Sequence, residues 1–481
     1  MRARRLCYQV RYYPVMWTRA TLLLTLLVAF VAACAPTPQQ AFTPRLTSEL
    51  AETPTPVAQP LAAGSSDMSA EEGLAVVGQA YALLLGAYVE PLDSTALLRA
   101  AWDGLGAALP AGQPRPELPA LAGDDPREDL RRFSAAYLEV AARAGGGAEA
   151  QARLAHAAVR RMAESLGDCH TAFSDPQQMA EQTARLRGDL RFAGVGIRIK
   201  REPNEPIVVW ELLDGGSAGR AGIKPGDAIV KVDGRDTSQM PLDQIATLIR
   251  GPEGSKVKLT VEHAVSRKTQ DFSLKRVPIA EPAFRGKLLP GNVAYLRLYS
   301  FSQAGQAELL GAIRDYESKH PAGWIIDLRT NGGGELRVLL SLLSKFLKDG
   351  PFGYELDRQG ERAAFGPDGT YLPRQHPLVI LVSDSTSSAA ELFAAAVQHH
   401  GAGRVVGTKT AGCLGIGSRY ELPDGSGLSV TVRKLLGPKG ADLNKVGLMP
   451  GEVVPVSRAD LAAGRDPQLQ RALALLGAPT R

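Results

Sequence analysis

The chain has 481 residues, 44% hydrophobic and 22% charged, with a mean hydropathy of −0.08. That balance excludes a wholly disordered chain, a collagen-like repeat and a polytopic membrane protein, and the length predicts two or three domains. The net charge of +5 arises at the front: Arg2, Arg4, Arg5, Arg11 and Arg19 are the only charged residues before Cys34, and without them the chain balances at 50 basic against 50 acidic. A neutral body carries no electrostatic footprint for nucleic acid. Four cysteines in so long a chain exclude a disulfide scaffold.

Arg19 is followed by an apolar and small run, Ala20 to Ala33. It is too short for a comfortable transmembrane helix and reads as a secretory signal. Met1 and Met16 are both candidate starts, because Met16-Trp17-Thr18-Arg19 alone supplies a basic flank. The run ends Val31-Ala32-Ala33-Cys34 and resembles a bacterial lipobox, whose cysteine is lipidated and becomes the new N-terminus. The alternative is an ordinary signal with an incidental cysteine. Residues 1–33 are thus expected to be a lipoprotein signal peptide. Residues 34–67, rich in Pro, Thr and Ser, are expected to be a flexible tether. The folded part would then work outside the cytoplasm, held to the bacterial cell membrane through acyl chains on Cys34.

Residues 68–188 read as a helical N-terminal domain. Ala75, Val76, Ala80, Leu83 and Leu84 recur at helical spacing, as do Leu97, Leu98, Trp102 and Leu105. Asp93-Ser94 caps the second of these helices, residues 106–126 break the pattern, and one longer helical pattern runs from Leu130 towards Leu166. Residues 189–279 change character. Strands are expected at Gly194–Ile199, Pro206–Trp210, Ala228–Val232 and Val257–Val261, with short helices at Ser217–Ile223 and Leu242–Ile249.

This block resembles a PDZ domain. Gly194-Val195-Gly196-Ile197 matches the carboxylate-binding loop, and Ala-Gly-Ile-Lys-Pro-Gly-Asp at 221–227 strengthens the match. Successive backbone N–H groups in such a turn can hold a terminal carboxylate while a peptide adds as a strand. The alternative is a structural barrel that binds nothing.

Residues 280–460 alternate buried strands (Asn292–Leu298, Gly323–Arg329, Pro377–Val382) with helices (Ala304–Lys319, Leu336–Leu347, Ser388–His399), an α/β pattern. A hairpin turns at Pro423–Gly427, and residues 461–481 are left as a C-terminal tail. Ser383-Asp-Ser-Thr-Ser-Ser-Ala-Ala-Glu391 joins a buried strand to a helix, where free N–H groups and the helix dipole favour a nucleophile and its oxyanion. Taken alone, a serine there is most often only a cap. Asn331-Gly-Gly-Gly334 follows another buried strand and permits a turn that can aim an N–H at an oxyanion, or is simply a tight connection.

In order, the PDZ block, Asp327-Leu-Arg-Thr-Asn-Gly-Gly-Gly334, Ser387-Ser-Ala-Ala-Glu391 and Val406-Gly-Thr-Lys-Thr-Ala-Gly412 resemble the carboxy-terminal processing peptidases, serine peptidases related to the tricorn core protease. The likeness spans roughly residues 75–455. It implies a crotonase-like α/β core, Ser388 as nucleophile, and backbone N–H groups of Gly333 and Ala389 as oxyanion donors. The family's lysine base is replaced by Cys413 and its supporting glutamine by Gly417. A neutral thiol cannot act as that base, and Lys409 stands four residues too early.

The tricorn branch instead takes a histidine from before its PDZ domain, and Leu166-Gly-Asp-Cys-His170 occupies that place. The resemblance therefore implies His170 as base, suited by its titration near neutrality, against the alternative of a structural histidine. Cys169 stands where that branch has a serine, and Asn444 where a supporting Glu is expected, with Asp168 and Asp442 as possible substitutes. If such a site assembles, Cys169 and Cys413 lie close enough for a disulfide; the rivals are two reduced thiols, or Cys413 as nucleophile.

The reading is a membrane-anchored serine endopeptidase for polypeptides or their C-termini, needing no cofactor and no metal. One alternative is an inactive PDZ-containing scaffold of the same fold, which also occurs in retinoid-carrying modules. Another is a hydrolase for small esters.

Overall fold

The computed structural model describes residues 68–479, apart from 111, 114–116, 145–146, 188–190, 202–204 and 374–375. The expected signal, tether and Cys34 lie outside the described residues. Among the described residues, no helix is long and apolar enough to cross a membrane.

Ser69 opens helix α1 (Ala70–Ala87) with a reciprocal cap: its Oγ accepts from Glu72 N–H, and Glu72 Oε2 accepts from Ser69 N–H. Asp93 caps α2 (Ser94–Ala108) through N–H groups of Thr95 and Ala96. The single long pattern expected beyond Leu130 is two helices, α3 (Pro126–Ala144) and α4 (Gly147–Ser165). Val77, Leu84, Leu98, Phe133, Tyr137 and Met162 are fully buried between them. Leu422, Leu428 and Val430, far along the chain, belong to the same apolar cluster. The helical block is therefore seated on the hairpin that contains these three residues.

After α4 the chain turns at Gly167 and passes through Asp168-Cys169-His170 into β1 (Ala172–Ser174), then α5 (Pro176–Arg187). The PDZ-like block follows: β2 (Arg191–Gly194), β3 (Ile197–Lys200), β4 (Val208–Leu212), α6 (Ser217–Arg220), β5 (Ala228–Val232), β6 (Arg235–Asp236), α7 (Leu242–Ile249), β7 (Lys256–Glu262), β8 (Thr269–Lys275) and β9 (Val277–Ala280). Its sheet runs β3-β4-β5-β7-β8, with β6 on β5 and β2 paired separately with β9. The continuous strand expected over 194–199 breaks at Gly196. Its φ of +77° puts the backbone against Gly216, whose Cα lies 2.4 Å from where a Cβ would stand.

The last block contains β10 (Phe284–Leu289), β11 (Val293–Leu298), α8 (Gln303–Glu317), β12 (Gly323–Asp327), α9 (Leu336–Phe346), β13 (Gly353–Leu356), β14 (Arg362–Phe365), β15 (Leu378–Val382), α10 (Ala389–His399), β16 (Arg404–Gly407), β17 (Ile416–Glu421), β18 (Gly427–Leu436), β19 (Glu452–Val453), α11 (Arg458–Ala462) and α12 (Pro467–Leu475). The main sheet has the order β10-β11-β12-β15-β16-β19, parallel except for β10. Strands β12 and β15 are buried along their whole length, which explains the unbroken apolar sequence of β15 and the Trp324-Ile325-Ile326 run of β12. Helices α8, α9 and α10 share the core on one face, and Ala472 and Leu473 of α12 pack on the other. The segment read as a tail thus supplies a helix to the sheet. A second sheet pairs β1 with β18 and carries the hairpin β17–β18, delivering the residues just before β1 to the end of the main sheet.

Candidate active site

Three loops leave the carboxyl ends of the parallel strands β12, β15 and β16, where open α/β sheets place their ligands. The β15 loop is laced to the β12 loop: Ser383 Oγ donates to Arg329 O, Thr386 Oγ1 to Leu328 O at 2.8 Å, and Ser387 N–H to Asn331 O at 3.1 Å. It ends at Ser388, immediately before α10, with φ 55° and ψ −123°. A non-glycine residue held there costs about 1–3 kcal/mol and needs surroundings that enforce it.

The enforcement is visible. Ser388 N–H donates to Cys413 O at 2.9 Å and to Glu391 Oε2 at 3.1 Å. Glu391 is fully buried and also accepts from Thr410 Oγ1, Gly412 N–H (2.8 Å) and Cys413 N–H (2.9 Å). One carboxylate thus joins the serine turn to the loop after β16. Sequence reasoning used Glu391 only as a motif letter; its spacing of three from Ser388, as in a capping box, was the available signal.

Ser388 Oγ lies 3.2 Å from His170 Nε2. The Ala389 N–H, first in α10, has no partner among the described residues and stands at the positive end of the helix dipole. Gly333 packs directly on this turn: at φ +96°, a Cβ would stand 2.7 Å from Ser388 Cβ. Its N–H, however, donates to Asn331 Oδ1 at 2.8 Å, and Asn331 is anchored through Nδ2 to Leu298 O at 2.9 Å. Of the two expected oxyanion donors, one is open and one is engaged.

His170 is positioned through its backbone. Asp168 Oδ1 accepts from His170 N–H at 3.0 Å, while Oδ2 accepts from Thr171 and Thr431 hydroxyls, fixing the segment to β18. Burial lowers the imidazole's affinity for a proton, and the Asp168 carboxylate opposes that only in part. The second ring nitrogen, Nδ1, faces sulfur: Cys169 Sγ is 3.4 Å away and Cys413 Sγ 3.6 Å. Those two sulfurs are bonded to each other at 2.11 Å, with a Cα–Cα distance of 6.0 Å.

Asn444 is turned elsewhere. Its Oδ1 accepts from Leu414 N–H at 3.4 Å, and Asp442 accepts from Asn444 N–H. The disulfide occupies the side of the ring where an amide was expected. Lys409 is exposed and lies beside Gly447. Gly415 and Gly417 make room for the imidazole: a Cβ at Gly415 would come 3.1 Å from Nδ1, and one at Gly417 would come 3.7 Å from His170 Cβ.

Gly194, Val195, Gly196 and Ile197 line a cleft together with Ile249, Arg250, Ser383 and Ser385. Lys200 at the end of β3 pairs with Asp384 at 3.0 Å, inside the loop that carries Ser388.

The profile of peptidase family S41 matches residues 292–454, and that of the PDZ domain matches residues 185–262. The carboxyl-terminal-processing protease of Synechocystis sp. is 35% identical over 328 residues, covering 67% of this chain and 76% of that protein. The chain belongs to the carboxyl-terminal-processing protease family.

Members of family S41 are serine-type hydrolases, and the PDZ domain beside the peptidase core implies peptide binding. The carboxy-terminal processing protease CtpA of Bacillus subtilis is 30% identical over 299 residues, 62% of this chain and 63% of its own. Among solved structures, the photosystem II D1 C-terminal processing protease superposes with a TM-score of 0.54 at 24% identity, covering 85% of this chain and 98% of that one. That likeness shows a shared fold: helical block, PDZ domain and α/β protease core. Cys413 and Gly417 both lie against His170.

Proposed function

We propose that this protein is an extracytoplasmic serine endopeptidase in which Ser388 attacks and His170 is the base. The observation that carries this reading is the 3.2 Å approach of His170 Nε2 to a serine hydroxyl on a strained turn at a helix N-terminus. As Ser388 Oγ adds to the scissile carbonyl, Nε2 takes its proton. The developing oxyanion is met by Ala389 N–H and by Gly333 N–H once the latter releases Asn331 Oδ1. His170 then protonates the leaving amine and activates the water that hydrolyses the acyl-enzyme. The imidazolium formed on the way is balanced by the Asp168 carboxylate. No step calls for a cofactor. The PDZ cleft at Gly194–Ile197 captures the substrate's C-terminus or an extended segment. Lipidated Cys34, carrying two or three acyl chains, holds the enzyme at the outer face of the cell membrane through the 34–67 tether.

The test compares residues 35–481 with Ser388→Ala and His170→Ala on an unstructured protein substrate. Cleavage by the native form, lost by at least about a thousandfold in each variant, is expected. Cleavage surviving His170→Ala would return the role of base to Lys409. A folded native protein that binds peptide C-termini without cutting them would be the scaffold instead.

A further inference from the structure

The group facing His170 Nδ1 has a geometry that proton transfer at Nε2 does not use. Nδ1 and the two sulfurs all lie within 4.8 Å of one another. A tetrahedral zinc ion holds thiolates at about 2.3 Å and an imidazole nitrogen at about 2.0–2.1 Å, which sets S···N edges near 3.5 Å and the S···S edge near 3.8 Å. The S···N separations here are 3.4 and 3.6 Å, already those edges. Only the sulfur–sulfur separation must widen. The Asp168 side chain and the Glu391 network hold the two backbones in place while it does. Cys169 is exposed, so a small dithiol reaches the bond.

We propose that, once the Cys169–Cys413 disulfide is reduced, Cys169, Cys413 and His170 Nδ1 bind one Zn²⁺ ion, with water as fourth ligand. Reduction moves two electrons and two protons from the dithiol, which closes into its own disulfide, and leaves two protein thiols. Zinc then displaces both thiol protons to solvent, and the two thiolates neutralise the charge of the ion. The imidazole proton, no longer able to reside on Nδ1, sits on Nε2 and faces Ser388 Oγ. The base is thereby withdrawn. That consequence rests on His170 being the base; the metal site does not.

The test is a Co²⁺ titration of the full chain reduced with a phosphine under anaerobic conditions. A thiolate-to-cobalt charge-transfer band saturating at one equivalent and displaced by Zn²⁺ is expected, and none before reduction. The Cys7→Ser/Cys34→Ser double variant should keep the band. Cys169→Ser and Cys413→Ser should each lose it, and His170→Ala should weaken binding at least about tenfold, the least that even an outer-shell loss costs. A reduced chain that stays folded by circular dichroism yet gives no band overturns the site. So does a band that survives Cys169→Ser, or a fold that melts on reduction. Cleavage by the reduced enzyme should stop at one equivalent of Zn²⁺ and return with a chelator. Cleavage continuing with the metal bound would overturn the withdrawal of the base and leave the metal site standing, whereas a chain that never cleaves bears on the protease reading alone.

Discussion

Burial of His170 disfavours its charged form, so the ring stays neutral to lower pH than a free imidazole. A base must be neutral to accept the Ser388 proton. The acid limb of kcat/KM is therefore expected below the usual imidazole value of about 6.5, measured as cleavage rate against pH; a limb above it would contradict the assignment. The same shift makes the folded state bind fewer protons than the unfolded one, so the stability this group contributes is present above about 6.5 and is lost as pH falls below it. Beside it, Glu391→Gln turns an amide NH₂ towards groups that only donate, Gly412 N–H and Cys413 N–H among them. A loss of about 2–3 kcal/mol in denaturant unfolding is expected, together with loss of cleavage as the serine turn relaxes. The approach of His170 to Ser388 was legible only through the resemblance of their two segments to the processing and tricorn-type peptidases. The direction of a peptide plane at Gly333 and of the Asn444 amide was not, because side-chain and peptide orientation follow from packing that one-dimensional spacing does not carry.

The strand-end loops work as a set because their strands are adjacent in the sheet. Arg329 ties two of its elements together, bonding Asp327 at the end of β12 and reaching Asp466 (2.8 Å) before α12. Burial pushes the Asp327 carboxyl up, but the Arg329 guanidinium outweighs it and holds the group well below the usual carboxylate range. Arg329→Met would leave that buried carboxylate without the guanidinium bonded to it, with the Tyr295 hydroxyl and the backbone N–H of residue 329 as its remaining donors. A destabilisation of about 3–5 kcal/mol is expected from chemical denaturation, with α12 loosened from the sheet as seen by hydrogen exchange. Continuous apolar strands and amphipathic helices were readable from sequence at this scale. The hairpin β13–β14 was not, since Gly353–Leu356 and Arg362–Phe365 are short and only half-buried, and neither alternates cleanly. Helix α12 was missed for a related reason: its buried face is narrow, with Gln468 among its three buried residues.

At the scale of the molecule, the PDZ domain and peptidase core meet over charge. Glu211 of β4 accepts two bonds from Arg297 of β11, at 2.6 and 2.7 Å, and pairs with Arg198 of β3 at 3.1 Å. Glu211→Gln would leave two neighbouring guanidinium groups without their shared anion. Faster limited proteolysis at the 281–283 connection is the expected outcome, with unfolding easier by about 1–3 kcal/mol. The helical block is joined by apolar contact with the β17–β18 hairpin, by polar contacts such as His156 Nε2 with Asp424 Oδ2 at 2.6 Å, and by the one covalent crosslink among the described residues. That crosslink bridges a sequence separation of 244 residues. It closes a ring that contains the whole PDZ domain and five of the six strands of the main sheet. Two things follow from a ring of that size. A backbone nick anywhere within it leaves a single molecule, which migrates as one piece until a reductant releases the fragments. And during synthesis the ring cannot close until Cys413 has emerged, so the histidine is not pinned beside the serine until nearly all of the sheet that carries the serine already exists.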